Sequence, residues 1–177
     1  MPKMLILRGT RGNLPDEQGK LQNYTKGALH EQAAKEYARR RGYDGTVLDI
    51  SGDRGTGKTR MTSPQTLLAV KTFRDDASIT AFYGFSGGGY NVYWILQTLK
   101  DQEECLKRIK LLVVLGTPET SASAFGKFNY KGGNWELVYR KDPLSSAKFV
   151  PKGVKDGHMF GPEGLLWETD HPDKKSP

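Results

Sequence analysis

Cysteine is almost absent. One, Cys105, occurs in 177 residues, which excludes an intramolecular disulfide and fits a reducing compartment. In Gln102-Glu103-Glu104-Cys105-Leu106 it reads as a helix-end packing residue, not a nucleophile. Histidine is scarce too: three, scattered, with one cysteine. That set forms no metal-ligand constellation, so no metal and no cofactor are expected. No apolar run approaches the ~20 residues of a membrane span. Met1–Leu7 is too short for a signal-peptide core and turns polar at Arg8. These absences point to a cytoplasmic protein, with secretion left open.

Hydrophobic residues make up 36% and charged residues 27%, which suits one globular domain with a real core. Residues 1–169 are expected to form it, with 170–177 as a polar tail. The net charge is +7. Its densest cluster, Arg39-Arg40-Arg41, ends a predicted helix, where cations suit the dipole. Lys148, Lys152 and Lys155 add charge later. The basic residues are spread along the chain without a nucleic-acid-binding motif, so they read as a solvated surface. Oligomeric state is left open by the sequence.

Apolar runs alternate with amphipathic stretches. Strands are predicted at Lys3–Leu7, Thr46–Ile50, Ile79–Tyr83, Lys110–Leu115 and Trp135–Arg140. Helices are predicted over Ala28–Arg41, from Ser63-Pro64 to Arg74, over Tyr90–Gln102 and over Pro162–Trp167. In the first helix Leu29, Ala33, Tyr37 and Ala38 share a face. This alternation predicts a three-layer α/β/α sandwich around a mainly parallel five-stranded sheet, ordered 2-1-3-4-5. The switch point then lies between strands one and three. Thr117–Gly133, rich in Gly, Ser, Thr and aromatics, interrupts the alternation and is the candidate substrate-facing loop.

One string carries most of the chemistry: Gly84-Phe85-Ser86-Gly87-Gly88, between a strand and a helix. Gly-x-Ser-x-Gly in that context is the nucleophile elbow of serine hydrolases. The turn must be tight enough to lift a serine hydroxyl above the sheet edge. Side chains at Gly84 and Gly88 would collide as strand and helix close. The helix N-terminus offers the Gly87 N–H to a developing oxyanion. The competing reading is a glycine-rich turn with an incidental serine.

A serine nucleophile needs a base and a group that orients it. His30, early in the first helix, reads as a surface residue, and His171 lies in the tail. His158 follows the last strand, where a loop can return over the sheet edge. Asp142, at the end of that strand, is the candidate acid; Asp156 is its rival. The chain order Ser86, Asp142, His158 is that of α/β-hydrolases. Asp142-Pro143 also reads as a plain turn. A second oxyanion donor is offered by Thr10, through its N–H and hydroxyl, in Arg8-Gly9-Thr10-Arg11-Gly12-Asn13. Phe85, Phe125, Phe128, Tyr130, Met159 and Phe160 are candidates to line an acyl pocket, and for several of them the core is the alternative.

Gly52-Asp53-Arg54-Gly55-Thr56-Gly57-Lys58-Thr59 satisfies the P-loop pattern and supports an alternative, nucleotide-binding reading. Two features oppose it. Pro64 interrupts the helix that should start at Lys58-Thr59. The later strands run into Gly84 and into Gly116-Thr117, not into an acidic Mg²⁺ ligand. The segment then becomes a polar loop near the site, where Arg54, Lys58 and Arg60 attract an acidic substrate group. A third reading is a non-catalytic binding module on a hydrolase fold.

The chain resembles the cutinases. Arg8-Gly9-Thr10 is similar to their first-strand Arg-Gly-Ser/Thr turn, which builds the oxyanion hole. Gly84–Gly88 sits where they carry the nucleophile, and the short Asp142-to-His158 spacing is similar to their acid–histidine loop. The resemblance spans about Leu5 to Phe160. It implies a compact, lidless α/β-hydrolase acting on a small-molecule or lipid-like ester. Two departures stand out: cutinases are secreted and disulfide-bonded, and their elbow usually carries Gln where this chain has Gly87.

Overall fold

A computed structural model describes residues 1–9, 24–50, 52–53, 60–141 and 161–172, with the backbone alone over 24–29. Five strands form one all-parallel sheet in the order β2-β1-β3-β4-β5. They are β1 (Lys3–Leu7), β2 (Asp44–Val47), β3 (Ile79–Phe85), β4 (Leu111–Leu115) and β5 (Glu136–Arg140). The predicted class and strand order are those observed.

Both faces of the sheet are covered, so the central strands read as unbroken apolar runs and not as alternation. Successive side chains nonetheless go to opposite layers. Leu5, Leu7, Phe82, Leu112 and Val114 join Ala69, Phe73, Val92 and Ile95. Those partners come from α2 (Pro64–Asp75) and α3 (Gly88–Leu99). Met4, Ile6, Ala81, Tyr83, Leu111 and Val113 join Tyr37, Ala38 and Leu165. These belong to α1 (Tyr24–Arg40) and α6 (Gly161–Asp170). Between α3 and β5 lie α4 (Glu103–Arg108), α5 (Ala122–Gly126) and a 3₁₀ helix, Lys127–Lys131. Among the described residues, no helix is long and apolar enough to cross a membrane.

Several boundaries move. The edge strand β2 spans Asp44–Val47, not Thr46–Ile50, although Leu48 N–H still donates to the Ile6 carbonyl. The predicted Tyr90–Gln102 helix stops at Leu99, and Cys105 lies on the separate α4, half-buried. α6 runs to Asp170, which pairs with Arg40, and the His171 ring stacks on Trp167. Asp170 and His171, read from the sequence as part of a polar tail, are therefore held against the rest of the fold. Ser63 caps α2 as expected: its hydroxyl accepts from the Thr66 N–H, and Pro64 opens the helix.

Candidate active site

Ser86 sits between the last residue of β3 and the first turn of α3 with φ 54°, in the left-handed region. A non-glycine residue there is strained by roughly 1–2 kcal/mol. The end of β4 holds that geometry. The Ser86 N–H donates to the Leu115 carbonyl at 2.7 Å, and Thr117 Oγ1 donates to the Ser86 carbonyl at 2.6 Å. Two glycines make room. A Cβ on Gly84 would stand 2.5 Å from the Gly88 carbonyl oxygen; one on Gly88 would stand 2.6 Å from the Leu7 carbonyl oxygen. Strand and helix therefore close as the Gly-x-Ser-x-Gly spacing predicts.

The turn after β1 abuts this elbow. A Cβ on Gly9 would lie 3.5 Å from Ser86 Cβ and 3.1 Å from the Phe85 carbonyl oxygen. The switch point between β1 and β3 is thus where Ser86 stands, as ligands in open α/β sheets require. Gly87 is buried and occupies the N-cap of α3.

Beneath the elbow lies a buried polar network that sequence reasoning missed. Arg60 is fully buried. Its Nη1 donates to the Gly87 carbonyl at 2.6 Å and to Asn91 Oδ1 at 3.0 Å, and its Nη2 to the Asp53 carbonyl at 2.8 Å. Burial pushes its guanidinium below the ordinary value, and the charge of Asp53 opposes that shift. Gln65 Nε2 donates to Asn91 Oδ1 at 2.9 Å and to the Arg8 carbonyl at 3.0 Å, while its Oε1 accepts from the Arg8 N–H at 2.9 Å. Asn91 Nδ2 donates to Asp53 Oδ2 at 2.7 Å and Thr66 Oγ1 at 2.9 Å; Ser63 also bonds Asp53. The Arg8 guanidinium is committed as well, to Glu31 at 2.6 Å and to the Leu48 and Ile50 carbonyls at 2.6 and 2.7 Å.

This arrangement corrects one expectation. Arg60 does not face an acidic substrate group; it is enclosed and supports the elbow. Asp53, at the start of the P-loop-like string, is likewise a structural acceptor. Residues 54–59 of that string, with Arg54 and Lys58, lie outside the described residues.

His30 is also not the surface residue expected. Its imidazole packs against the Phe85 ring with centroids 5.1 Å apart, and its Nδ1 lies 2.9 Å from Glu163 Oε1. Its side chain is only 11% exposed. Phe125 and Phe128 are fully buried in the core beside Tyr93, not on an accessible pocket wall. The Thr117–Gly133 segment carries α5 and the 3₁₀ helix, and Tyr130 projects outward from it at 94% exposure. Phe85, half-buried beside Ser86, stays at the site. Thr10, Asp142, Asp156, His158, Met159 and Phe160 lie outside the described residues.

Sequence carried one usable signal for the hidden network. Gln65 occupies the same helical stripe as Ala69 and Phe73, at i, i+4 and i+8, and all three are buried. A polar residue on an apolar stripe implies a buried partner. No protein-family model, curated protein or solved structure matches this chain.

Proposed function

We propose that the protein is a serine hydrolase that cleaves a carboxylic ester, or a related acyl bond, through an acyl-enzyme on Ser86. One observation carries this reading: the strained backbone of Ser86 on a strand–helix turn at the sheet's switch point. A serine held at positive φ costs free energy at the place where a hydroxyl is most useful, and such strain concentrates at functional sites. The cutinase-like motifs of the sequence agree with it.

In the proposed reaction Ser86 Oγ attacks the acyl carbon while its proton passes to His158. The oxyanion is met by N–H groups of Gly87 and of the turn after β1, where Thr10 is the candidate donor. His158 then protonates the departing alcohol. Water, deprotonated by the same histidine, attacks the acyl-enzyme; the acyl bond to Ser86 Oγ breaks, His158 returns the proton to that oxygen, and the acid leaves. Asp142 is the candidate group that fixes the imidazole tautomer. Chain connectivity favours His158 as the base. It lies three residues before Gly161, the start of α6, and the first turn of α6 is tied through Glu163 to His30, beside Phe85.

A fluorophosphonate probe with the adduct mapped by peptide sequencing tests the proposal, together with turnover of short-chain p-nitrophenyl esters. Modification at Ser86, and loss of ~10⁴-fold or more of the activity in Ser86→Ala, are expected. Full activity in Ser86→Ala would sink it.

A further inference from the structure

We propose that Gln65 is a positioning residue of the oxyanion hole, setting the Arg8–Gly9 turn against the Ser86 elbow. The inference rests on the serine-hydrolase reading above. A hole of this kind is made by two separate chain segments, and its donors must lie within a few tenths of an ångström of the productive position. Something must therefore fix the distance between the turn after β1 and the turn after β3.

The Gln65 carboxamide is paired with both backbone groups of one residue. Oε1 accepts the Arg8 N–H at 2.9 Å and Nε2 donates to the Arg8 carbonyl at 3.0 Å. Peptide planarity carries the constraint onward, because fixing the Arg8 carbonyl also fixes the direction of the Gly9 N–H. The other Nε2 hydrogen goes to Asn91 Oδ1 at 2.9 Å. Asn91 Oδ1 also accepts from Arg60, which bonds the Gly87 carbonyl. An unbroken path of hydrogen bonds thus runs from Arg8 through Gln65, Asn91 and Arg60 to Gly87, the elbow residue whose N–H serves as oxyanion donor.

The path has one consistent set of orientations. Asn91 Nδ2 faces the Asp53 carboxylate, so Oδ1 must face the two donors. Gln65 Nε2 must then face Asn91 Oδ1 and the Arg8 carbonyl, which leaves Oε1 for the Arg8 N–H. Gln65, Asn91 and Arg60 are all fully buried, so water does not compete for the bonds among them, while Arg8 at the end of the path is half-buried. An apolar side chain would fill this position on the stripe of Ala69 and Phe73, but it would leave the Arg8 N–H and carbonyl without these partners. What an apolar residue cannot do is hold Arg8 at a set orientation.

The test compares wild type, Gln65→Met, Gln65→Glu and Val70→Ala, a core change on the same helix that lowers stability away from the site. Each is assayed with a p-nitrophenyl ester and with a trifluoromethyl ketone, whose serine adduct places an oxyanion in the hole. Gln65→Met is expected to lower kcat by about 10-fold or more, with KM changed by less than about twofold. Its affinity for the ketone should fall by a similar factor. Val70→Ala should keep kcat at a reduced melting temperature. In Gln65→Glu the ratio of kcat to wild type should rise as pH falls, because a neutral carboxyl again donates to the Arg8 carbonyl. Unchanged kcat and ketone affinity in Gln65→Met overturn the proposal, as does an equal kcat loss in Val70→Ala. If Gln65→Met does not fold, the Gln65→Glu ratio decides, and a pH-independent ratio overturns it. A wild-type protein without esterase activity or Ser86 labelling defeats the serine-hydrolase reading first. An active wild type with these negative results defeats only the role of Gln65.

Discussion

Thr117 Oγ1 donates to the carbonyl oxygen of Ser86 at 2.6 Å, while the Ser86 N–H is taken by the Leu115 carbonyl. The end of β4 thus grips Ser86 on both sides of its α-carbon. Such a grip explains how a side chain persists at φ 54°: the surroundings hold a conformation that the residue alone would leave.

Strain at Ser86 separates two substitutions that both remove the hydroxyl. Ser86→Ala keeps the Cβ and the strain. Ser86→Gly removes both, since glycine enters the left-handed region without a Cβ clash. The glycine variant is therefore expected to be more stable than the alanine variant by about 1 kcal/mol. Both should be inactive on esters. Paired urea denaturation curves measure the difference, and an alanine variant equal to or above glycine would show that the turn is not strained.

Much of the fold was legible because buried parallel strands leave a crude signal. Lys3–Leu7 matches its strand in full, and Gly84–Gly88 marks the elbow because steric closeness admits only glycine at its ends. What failed depended on tertiary pairing. β2 lies at the sheet edge, where pairing with β1 sets its bounds, and Leu48 is buried just beyond its end. Phe125 and Phe128 looked like pocket walls because a Gly- and Ser-rich segment resembles a loop, yet the segment folds back to complete the core. His30 looked like a surface residue because polar side chains usually are, and Arg60 like a contact to an acidic substrate group; their burial follows from partners far away in sequence.

Arg60 is expected to behave as a structural cation, not as a substrate or nucleotide contact. Arg60→Ala would leave the Gly87 and Asp53 carbonyls and Asn91 Oδ1 short of a buried donor. A stability loss of about 3 kcal/mol or more is expected. The wild-type protein should gain nothing from MgATP or MgGTP. A bound nucleotide at 100 times its Kd would add about 2.7 kcal/mol, which thermal melts detect readily. A mild Arg60→Ala phenotype, or saturable stabilisation by a nucleotide, would contradict this assignment and revive the P-loop reading of residues 52–59.

Two surface carboxylates set an acid limb of stability. The Lys3 hydrogen bond, joined by the Ser78 hydroxyl and N–H, holds the Asp76 carboxyl well below the usual range. Hydrogen bonds from Arg39 and then Arg40 hold Glu36 at about 2. Both values are depressed on folding. The stabilisation is therefore complete above the ordinary carboxylate pKa of about 4 and is lost as pH falls through the folded value. Melting temperature should decline from about pH 4 downward. The decline should be smaller in Asp76→Asn, and added salt should shrink the Glu36 contribution. A melting temperature flat to about pH 2 would show that neither pair matters to folding.

His30 and Glu163 are expected to be energetically coupled. The two Glu163 oxygens lie 2.9 and 3.1 Å from His30 Nδ1, so that nitrogen must carry the proton it shares. The pair joins α1 to the first turn of α6, and the imidazole also rests on Phe85, the residue before Ser86. Glu163 is 30% exposed and His30 much less, so solvent screens only one side of the contact. Glu163→Ala should lower stability by about 1–2 kcal/mol, and Glu163→Gln by less, since a carboxamide oxygen still accepts the Nδ1 proton. In a double-mutant cycle with His30→Ala, a coupling energy of about 1 kcal/mol is expected. The catalytic readout follows from chain connectivity. α6 begins three residues after His158, the candidate base, so loosening its first turn should lower kcat on esters more than it raises KM. Additive stability losses, with kcat untouched, would reduce the pair to an incidental surface contact.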